Sequence, residues 1–237
     1  KLKYLGLILI FNLKVFSSDS FTYNTFNNHG AIGLINMPTA RLYKEQTFGF
    51  TLYDGTPDQK ITMTSSPYDW LEASFFYTNI QGRPYPGYES FQDYKDKGFN
   101  FKIRIKEEGI LPAVAIGIND LAGTGLYSSE YIVGSYGLNN IDFHFGLGWG
   151  TLNGKEDFKN PLRYLSKKFG ERPTEFADEG GQFQPSKYYS DKSISAFFGL
   201  SYVLNKNTIL KFERDTTQTS GNIDYGNPNS DFSFGVD

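Results

Sequence analysis

The sequence contains no cysteine and only two histidines among its 237 residues. The missing thiols exclude disulfides, thiolate metal sites and, within these residues, a lipid anchor on an N-terminal cysteine. His29 and His144 stand in predicted strands, with no H-E-x-x-H motif or nucleophile elbow nearby, so neither indicates a catalytic site. Lys and Arg are scattered and the net charge is −3, which is not the footprint of a nucleic-acid-binding protein. We therefore expect no metal, no cofactor and no nucleic-acid partner.

Long apolar runs are also missing. The run at residues 4–11 is too short to span a bilayer. It follows Lys1 and Lys3 and precedes the small residues Ser17 and Ser18. This layout predicts a secretory signal peptide over residues 1–18 and hence export. A buried N-terminal helix or a single membrane span is the alternative interpretation.

Aromatic residues and glycine are abundant, with 17 Tyr, 22 Phe and 25 Gly. Apolar residues alternate with polar ones or glycine, which predicts β-strands. The pattern is cleanest at 99–106, 114–118, 141–150 and 194–204, and weaker at 29–36, 46–53, 58–64, 69–79, 129–137, 207–215 and 230–237. We predict an all-β fold for residues 19–237, an antiparallel up-and-down transmembrane β-barrel of about eleven to twelve strands. Such a barrel requires the apolar side chains of 99–105 and 141–149 to point outward.

The lengths of the connections separate a barrel from a sandwich. Connections after odd-numbered predicted strands are short or moderate (37–45, 65–68, 107–109, 138–140, 205–206). Those after even-numbered strands are long (80–95, 119–128, 152–192, 216–229), with 54–57 as the exception. Short turns at one rim and long loops at the other are typical of outer-membrane barrels. The strands of a soluble sandwich also alternate apolar and polar side chains. Nothing in a sandwich, however, requires short and long connections to alternate. Loop 152–192 is either a plug or polymer-contacting surface, or a mobile loop.

Seven carboxylates could carry chemistry: Glu72, Asp93, Asp96, Glu107, Glu108, Asp120 and Glu130. Two of them at the right separation could hydrolyse a glycosidic bond. The favoured interpretation is a set of interior salt bridges with Lys95, Lys97, Lys102 and Arg104, because opposite charges on neighbouring strands stabilise a sheet. We therefore expect a protein that is not an enzyme.

Several motifs resemble the YjbH-like family. They are Met37-Pro38-Thr39-Ala40-Arg41, Tyr94 to Phe99, Leu111 to Gly117, Asp120 with Gly123-Thr124-Gly125, and Ser129-Glu130-Tyr131. The match is strongest over 29–151. It implies an outer-membrane protein of a Gram-negative bacterium that assists exopolysaccharide or capsule biosynthesis, secretion or surface assembly without catalysis. The residues expected to face the interior or a polysaccharide are Arg41, Glu72, Lys95, Asp96, Lys97, Asp120 and Glu130.

Family members are usually longer, so we expect this chain to be the N-terminal part of a larger barrel. The implied partners are outer-membrane lipid, an exopolysaccharide and periplasmic polysaccharide-secretion proteins. Two other hypotheses stay open. One is a soluble periplasmic β-domain that binds glycan through its aromatic side chains, and the other is a carboxylate-based glycan-cleaving enzyme.

Overall fold

A computed structural model describes residues 24–55, 58–84, 92–173, 183, 185–218 and 231–237. The predicted signal peptide, residues 1–18, lies outside this part of the chain. Among the described residues, no helix has both the length and the apolar character needed to cross a membrane.

Within these described ranges, eleven strands form one antiparallel sheet. Their bounds are β1 Thr47–Asp54, β2 Asp58–Tyr68, β3 Leu71–Pro84, β4 Asp93–Lys106, β5 Ala113–Leu121, β6 Ser129–Leu138, β7 Ile141–Gly150, β8 Phe158–Lys159, β9 Ser193–Asn205, β10 Thr208–Arg214 and β11 Phe232–Val236. Consecutive strands pair in chain order, except that the two-residue β8 is off the path and β9 pairs with β7. The described part of the stretch between β7 and β9 also contains three short 3-10 helices: Pro161–Tyr164, Lys167–Gly170 and Pro185–Lys187. The predicted all-β, antiparallel, up-and-down fold is confirmed.

The two edges of the sheet are β1 and β11. Within the described residues they do not pair with each other, so the sheet is not closed as a barrel. Closure and a transmembrane position therefore stay predictions.

The predicted first strand, residues 29–36, is wrong. This stretch has only isolated bridges, Phe26 with Ile32 and Gly33 with Pro38. Gly30 has a φ of +77°, and a Cβ there would lie 2.3 Å from the Cβ of Thr62. Such a backbone suits glycine and does not continue a strand. The prediction failed because apolar residues recur in this stretch for another reason: they pack against the sheet.

The outward direction of the apolar side chains is confirmed for most of the predicted positions. Exposed apolar residues on the strands include Phe48, Phe50, Leu52, Ile61, Met63, Phe75, Phe99, Ile103, Ile105, Phe143, Phe145 and Phe198. Trp149 is the exception and is buried. We call this surface the outer face.

The opposite side of the sheet, the inner face, is buried and largely polar. Its buried polar side chains include Lys60, Thr62, Thr64, Glu72, Ser74, Asp96, Asn100, Lys102, Ser135, Asp142, His144, Lys211 and Glu213. An apolar cluster is also present, in which Leu34, Met37 and Ala40 pack with buried residues of β5, β6 and β9. The usual arrangement of a soluble sheet, apolar inside and polar outside, is thus reversed over much of the wall.

Glycine on the inner face makes room for aromatic rings. Gly117 pairs across strands with Tyr131, and a Cβ at Gly117 would lie 2.2 Å from Cζ of that ring. Glycine within a strand often marks a close approach of another backbone. Here a side chain, rather than a neighbouring backbone, occupies the space.

The connections differ in length between the two rims, as predicted. One rim carries the short connections 69–70, 107–112, 139–140 and 206–207. The other carries 85–92, 122–128, 151–192 and 215–231, together with the short 55–57. We call this second rim the long-loop rim. Residues of its connections contribute to the site described next.

Candidate functional site in the interior of the sheet

Residues 24–46, which we call the inner segment, lie against the inner face. A segment outside regular structure must still pair its buried backbone groups. Here the side chains of the sheet supply many of these partners. The hydroxyls of Thr62 and Thr64 donate to the carbonyls of His29 and Gly30, at 3.1 and 2.5 Å. The inner segment is thus held by side chains instead of by a strand ladder.

The first anchor is a buried ion pair. Glu72 and Lys102 are directly opposite each other on β3 and β4, and Lys102 Nζ lies 3.0 Å from a Glu72 carboxylate oxygen. The carboxylate accepts from the backbone N–H of Ile32 and Tyr43, at 3.2 and 3.0 Å. Lys102 donates to the carbonyls of Ile32 and Arg41, at 2.7 and 2.9 Å. Both charges are therefore paired with each other and with the inner segment.

The second anchor lies on β10. The carboxylate of Glu213 accepts from three consecutive backbone N–H groups, those of Ile35, Asn36 and Met37, at 2.9, 2.8 and 3.1 Å. On the same face of β10, Lys211 donates to the carbonyl of Leu34 at 2.9 Å. A carboxylate that receives several N–H groups makes charge-assisted hydrogen bonds, which are stronger than neutral ones.

The third anchor holds Arg41. Its guanidinium donates to both carboxylate oxygens of Asp142, at 2.7 and 2.6 Å, and it also contacts Glu108. Burial lowers the pKa of Arg41, but Asp142 and Glu108 outweigh it, so the pKa is raised overall. Next to this group, the Ser135 hydroxyl lies 2.8 Å from His144 Nδ1 and accepts from the Ala40 N–H. His144 is thus an interior polar residue.

Asp96 and Asp120 lie on the inner face near the long-loop rim. Asp120 has a φ of +57° and accepts from the Tyr127 N–H at 3.1 Å. Asp96 accepts from the Lys97 N–H at 2.7 Å. One oxygen of each carboxylate is buried without a hydrogen bond of good geometry among the described residues.

Glu130 anchors the longest loop. Arg172 donates to both of its carboxylate oxygens, at 2.8 and 2.9 Å, and to the carbonyls of Ser128 and Ser190. The N–H of Tyr189 donates to the same carboxylate at 2.9 Å. This part of the 152–192 loop is therefore docked on the sheet.

Lys95 and Lys97 differ from the other predicted site residues. Strand alternation on β4 puts them on the face opposite Asp96, and Lys95 Nζ donates to the Asn79 side chain at 2.7 Å. The structure thus brings five of the predicted residues to the interior, Arg41, Glu72, Asp96, Asp120 and Glu130, and leaves Lys95 and Lys97 on the outer face. The sequence already indicated this placement, because Lys95 and Lys97 occupy the same alternate positions of the strand as the outward-pointing Phe99.

Comparison with known proteins fits this arrangement. A family described as "Exopolysaccharide biosynthesis protein YbjH" (YjbH) matches residues 25–237. The chain belongs to the YjbH family. The match includes the inner segment and every strand of the sheet, so the three anchors all lie within it.

A relative from Escherichia coli (strain K12), named "Uncharacterized lipoprotein YjbH", is 34% identical over 180 residues. That match covers 74% of this chain and 26% of the relative, so the chain spans about a quarter of the relative's length. No solved structure matches.

Sequence reasoning identified part of this YjbH-family site. The predicted interior salt bridge is confirmed for Glu72 with Lys102. Glu107 also pairs with Arg104, but the Glu107 side chain is 74% exposed, so this pair is not interior. Four further residues of the site were not predicted, because their partners lie far away in the sequence: Asp142, Arg172, Lys211 and Glu213. Within the described residues, no cluster of three or more His, Asp or Glu side chains could hold a metal ion.

Replacing Arg172 by lysine should loosen the longest loop. Lysine keeps the charge but cannot reproduce the forked contact with both oxygens of Glu130. Losing one charge-assisted hydrogen bond costs about 1.5–3 kcal/mol. We expect faster proteolysis within 152–192, measured by limited digestion and mass spectrometry. The matched control is Arg163→Lys in the same loop, which should leave the digestion rate near that of the parent. Equal rates for the two variants would contradict this role of Arg172.

Proposed function

We propose that this chain forms part of a β-sheet wall embedded in the outer membrane of a Gram-negative bacterium, where it assists exopolysaccharide secretion or surface assembly without catalysis. The observation that carries the proposal is the reversed distribution of side chains. Aromatic and aliphatic residues cover the outer face, while much of the inner face is polar and includes buried ion pairs. In water this arrangement would expose a large apolar surface, which is unfavourable.

Lipid explains the outer face better than water does. A lipid-facing wall alternates apolar outward and polar inward residues, and its strands are connected by short turns at one rim and longer loops at the other. Both features are present here. The name of the Escherichia coli relative, a lipoprotein, is consistent with a location in the cell envelope.

The family description supports a role connected with exopolysaccharide. A non-catalytic role is supported by the use of the carboxylates. Glu72, Glu130 and Glu213 bind backbone groups or arginine and hold structure in place. A carboxylate that is fully committed to such contacts is poorly suited to proton transfer.

Membrane fractionation tests the location. We expect the protein in the outer-membrane fraction, extractable only with detergent, and with a mobility on gels that changes when the sample is boiled. Release without detergent and no heat-dependent shift would contradict the proposal and would favour the soluble glycan-binding alternative. Reducing-end release from the cognate polymer by purified protein would instead favour the enzyme alternative.

An arginine introduced on the outer face should hinder insertion of the protein into the outer membrane. Phe145 lies in the middle of β7 and is 59% exposed. If lipid covers it, Phe145→Arg should cost about 2–4 kcal/mol and reduce the amount of protein in the outer membrane. Tyr164, in the loop that follows, is 88% exposed, and Tyr164→Arg serves as the control, with no loss expected.

In a soluble protein both of these substitutions would be nearly neutral, because both side chains already contact water. The two variants are compared by quantitative blotting of membrane fractions and by the urea concentration that abolishes the heat-dependent shift. Equal behaviour of Phe145→Arg and Tyr164→Arg would refute the lipid-facing assignment.

A further inference from the structure

A cavity of about 180 Å³ lies between the inner segment and the inner face, toward the long-loop rim. The inner segment contributes Asn27, Asn28 and His29, while β2, β3 and β5 contribute Lys60, Phe76 and Asn119. Loop residues, including Tyr127 and Gln218, complete the wall. The anchors described above do not account for this cavity, because Glu72, Lys102, Lys211 and Glu213 are not part of its lining.

The wall of the cavity combines aromatic rings with side-chain amides. The aromatic rings are those of Tyr53, Phe76, Tyr127 and Tyr131. The side-chain amides are those of Asn27, Asn28, Asn36, Asn100, Asn119 and Gln218. An amide carries both donors and an acceptor, so it can bind a hydroxyl group in either role. A ring offers a flat apolar face beside such groups. A sugar ring, with C–H faces and a rim of hydroxyls, fits a wall of this composition.

The charges of the lining argue against an acidic sugar. Among the described residues of the lining, Asp58 and Asp215 carry carboxylates and Lys60 carries the one ammonium group. Asp96 and Asp120 also act on Lys60. Burial, followed by the charge of Lys60, lowers the pKa of His29 to about 3. His29 is therefore neutral at physiological pH, and its Nδ1 lies 3.1 Å from Lys60 Nζ. A carboxylate on the ligand would meet a surplus of negative charge, which disfavours its binding.

Two polar groups of the lining, the Tyr127 hydroxyl and one carboxylate oxygen of Asp58, are buried close to each other. The Tyr127 hydroxyl lies near Asp58 and Thr78, but it forms no hydrogen bond of good geometry among the described residues. The same holds for one oxygen of Asp58. The ring of Tyr127 is fixed by an edge contact with Phe76 and by Lys60 Nζ, 4.0 Å from its centroid. A fixed ring with an unused hydroxyl is a preorganised hydrogen-bonding group.

We propose that this cavity binds one uncharged sugar unit of the polysaccharide on which the protein acts. The proposal rests on the proposed function for its substrate class, and it adds the place and the charge of the bound unit. Polymer contact is then made between the inner segment and the long-loop rim. The strand residues Lys95 and Lys97 take no part in it.

Ligand-observed saturation-transfer NMR on the purified full chain tests the proposal. The probes are D-glucose, N-acetyl-D-glucosamine and, as the acidic comparison, D-glucuronate. We expect saturable binding of at least one neutral sugar with a dissociation constant of about 1–10 mM. Glucuronate should bind at least about tenfold more weakly, because it places a negative charge among carboxylates.

Two pairs of variants locate the binding. Ala31 lines the cavity, so Ala31→Leu should fill it and weaken binding about tenfold or more. Ala73→Leu makes the same change on the outer face and should have no effect. Tyr127→Phe keeps the ring, removes the available hydroxyl and should weaken binding about two- to tenfold, whereas Tyr136→Phe on the outer face should not. If Ala31→Leu fails to fold, the tyrosine pair decides.

The proposal is overturned if neither neutral sugar binds, if glucuronate binds more tightly, or if Tyr127→Phe binds as the parent does. The cavity would then be a water-filled space inside the wall. Sugar binding is measured on purified protein from whichever fraction contains it. A negative result is therefore distinguishable from failure of the membrane assignment.

Discussion

Replacing Lys102 by methionine is expected to destabilise the protein by about 3–5 kcal/mol, the cost of leaving a buried charge without its partner. The pair is fully enclosed, since the side chains of Lys102 and Glu72 are each 2% exposed. Methionine has a similar length but donates no hydrogen bond. The carbonyls of Ile32 and Arg41 would lose their donor as well.

The free energy of unfolding is measured by urea titration of the purified protein. The matched control is Lys155→Met, because Lys155 pairs with the partly exposed Asp231. Breaking such a pair costs less than about 1 kcal/mol. The double variant Lys102→Met/Glu72→Gln should recover part of the loss, since it removes the orphaned charge. Equal losses for Lys102→Met and Lys155→Met would contradict the importance of the buried pair.

Glu213→Ala is expected to release the central part of the inner segment from the sheet. Three backbone N–H groups would lose their shared acceptor, and each unsatisfied buried donor costs about 1–3 kcal/mol. If the three donors together cost only about 2.8 kcal/mol, the fraction of molecules with an opened inner segment would still rise roughly 100-fold. The sheet need not unfold for this to occur, because local opening follows the local stability.

A single introduced cysteine reports on this opening, since the chain has none of its own. Met37 is completely buried, so the thiol of Met37→Cys should react slowly with a maleimide. Adding Glu213→Ala should accelerate the labelling roughly 100-fold, and Glu213→Gln, which keeps one acceptor oxygen, should accelerate it less. The exposed Glu107 provides the control Glu107→Ala. Unchanged labelling in the Glu213 variants would show that other contacts hold the segment.

Prediction from sequence succeeded where the information is local. A strand repeats every two residues, so the patterns at 99–106 and 141–150 were enough to locate β4 and β7 and to assign most of their outward residues. The difference between the rims also follows from the spacing of strands along the chain. The pairing of Glu72 with Lys102 was accessible for the same reason, because their strands are neighbours in sequence.

Prediction failed at the inner segment. The apolar residues of 29–36 recur as in a strand, yet Leu34 packs into the interior cluster and the backbone is bound by Glu213. No local pattern distinguishes an apolar residue that faces lipid from one that faces a packed interior. The placement of Lys95 and Lys97 is a different case. The alternation of apolar and polar residues along β4 already indicated that both lie on the outer face.

The sequence by itself determined most of the strands, the difference in connection length between the two rims and the family, because each depends on periodicity or on motifs within short stretches. The tertiary structure alone decided what fills the inner face. Glu213 binds a segment 177 positions away, and Arg172 reaches Glu130 across 42. Contacts of this kind depend on the curvature of the whole sheet, which brings its strands around the inner segment and which short-range patterns do not encode.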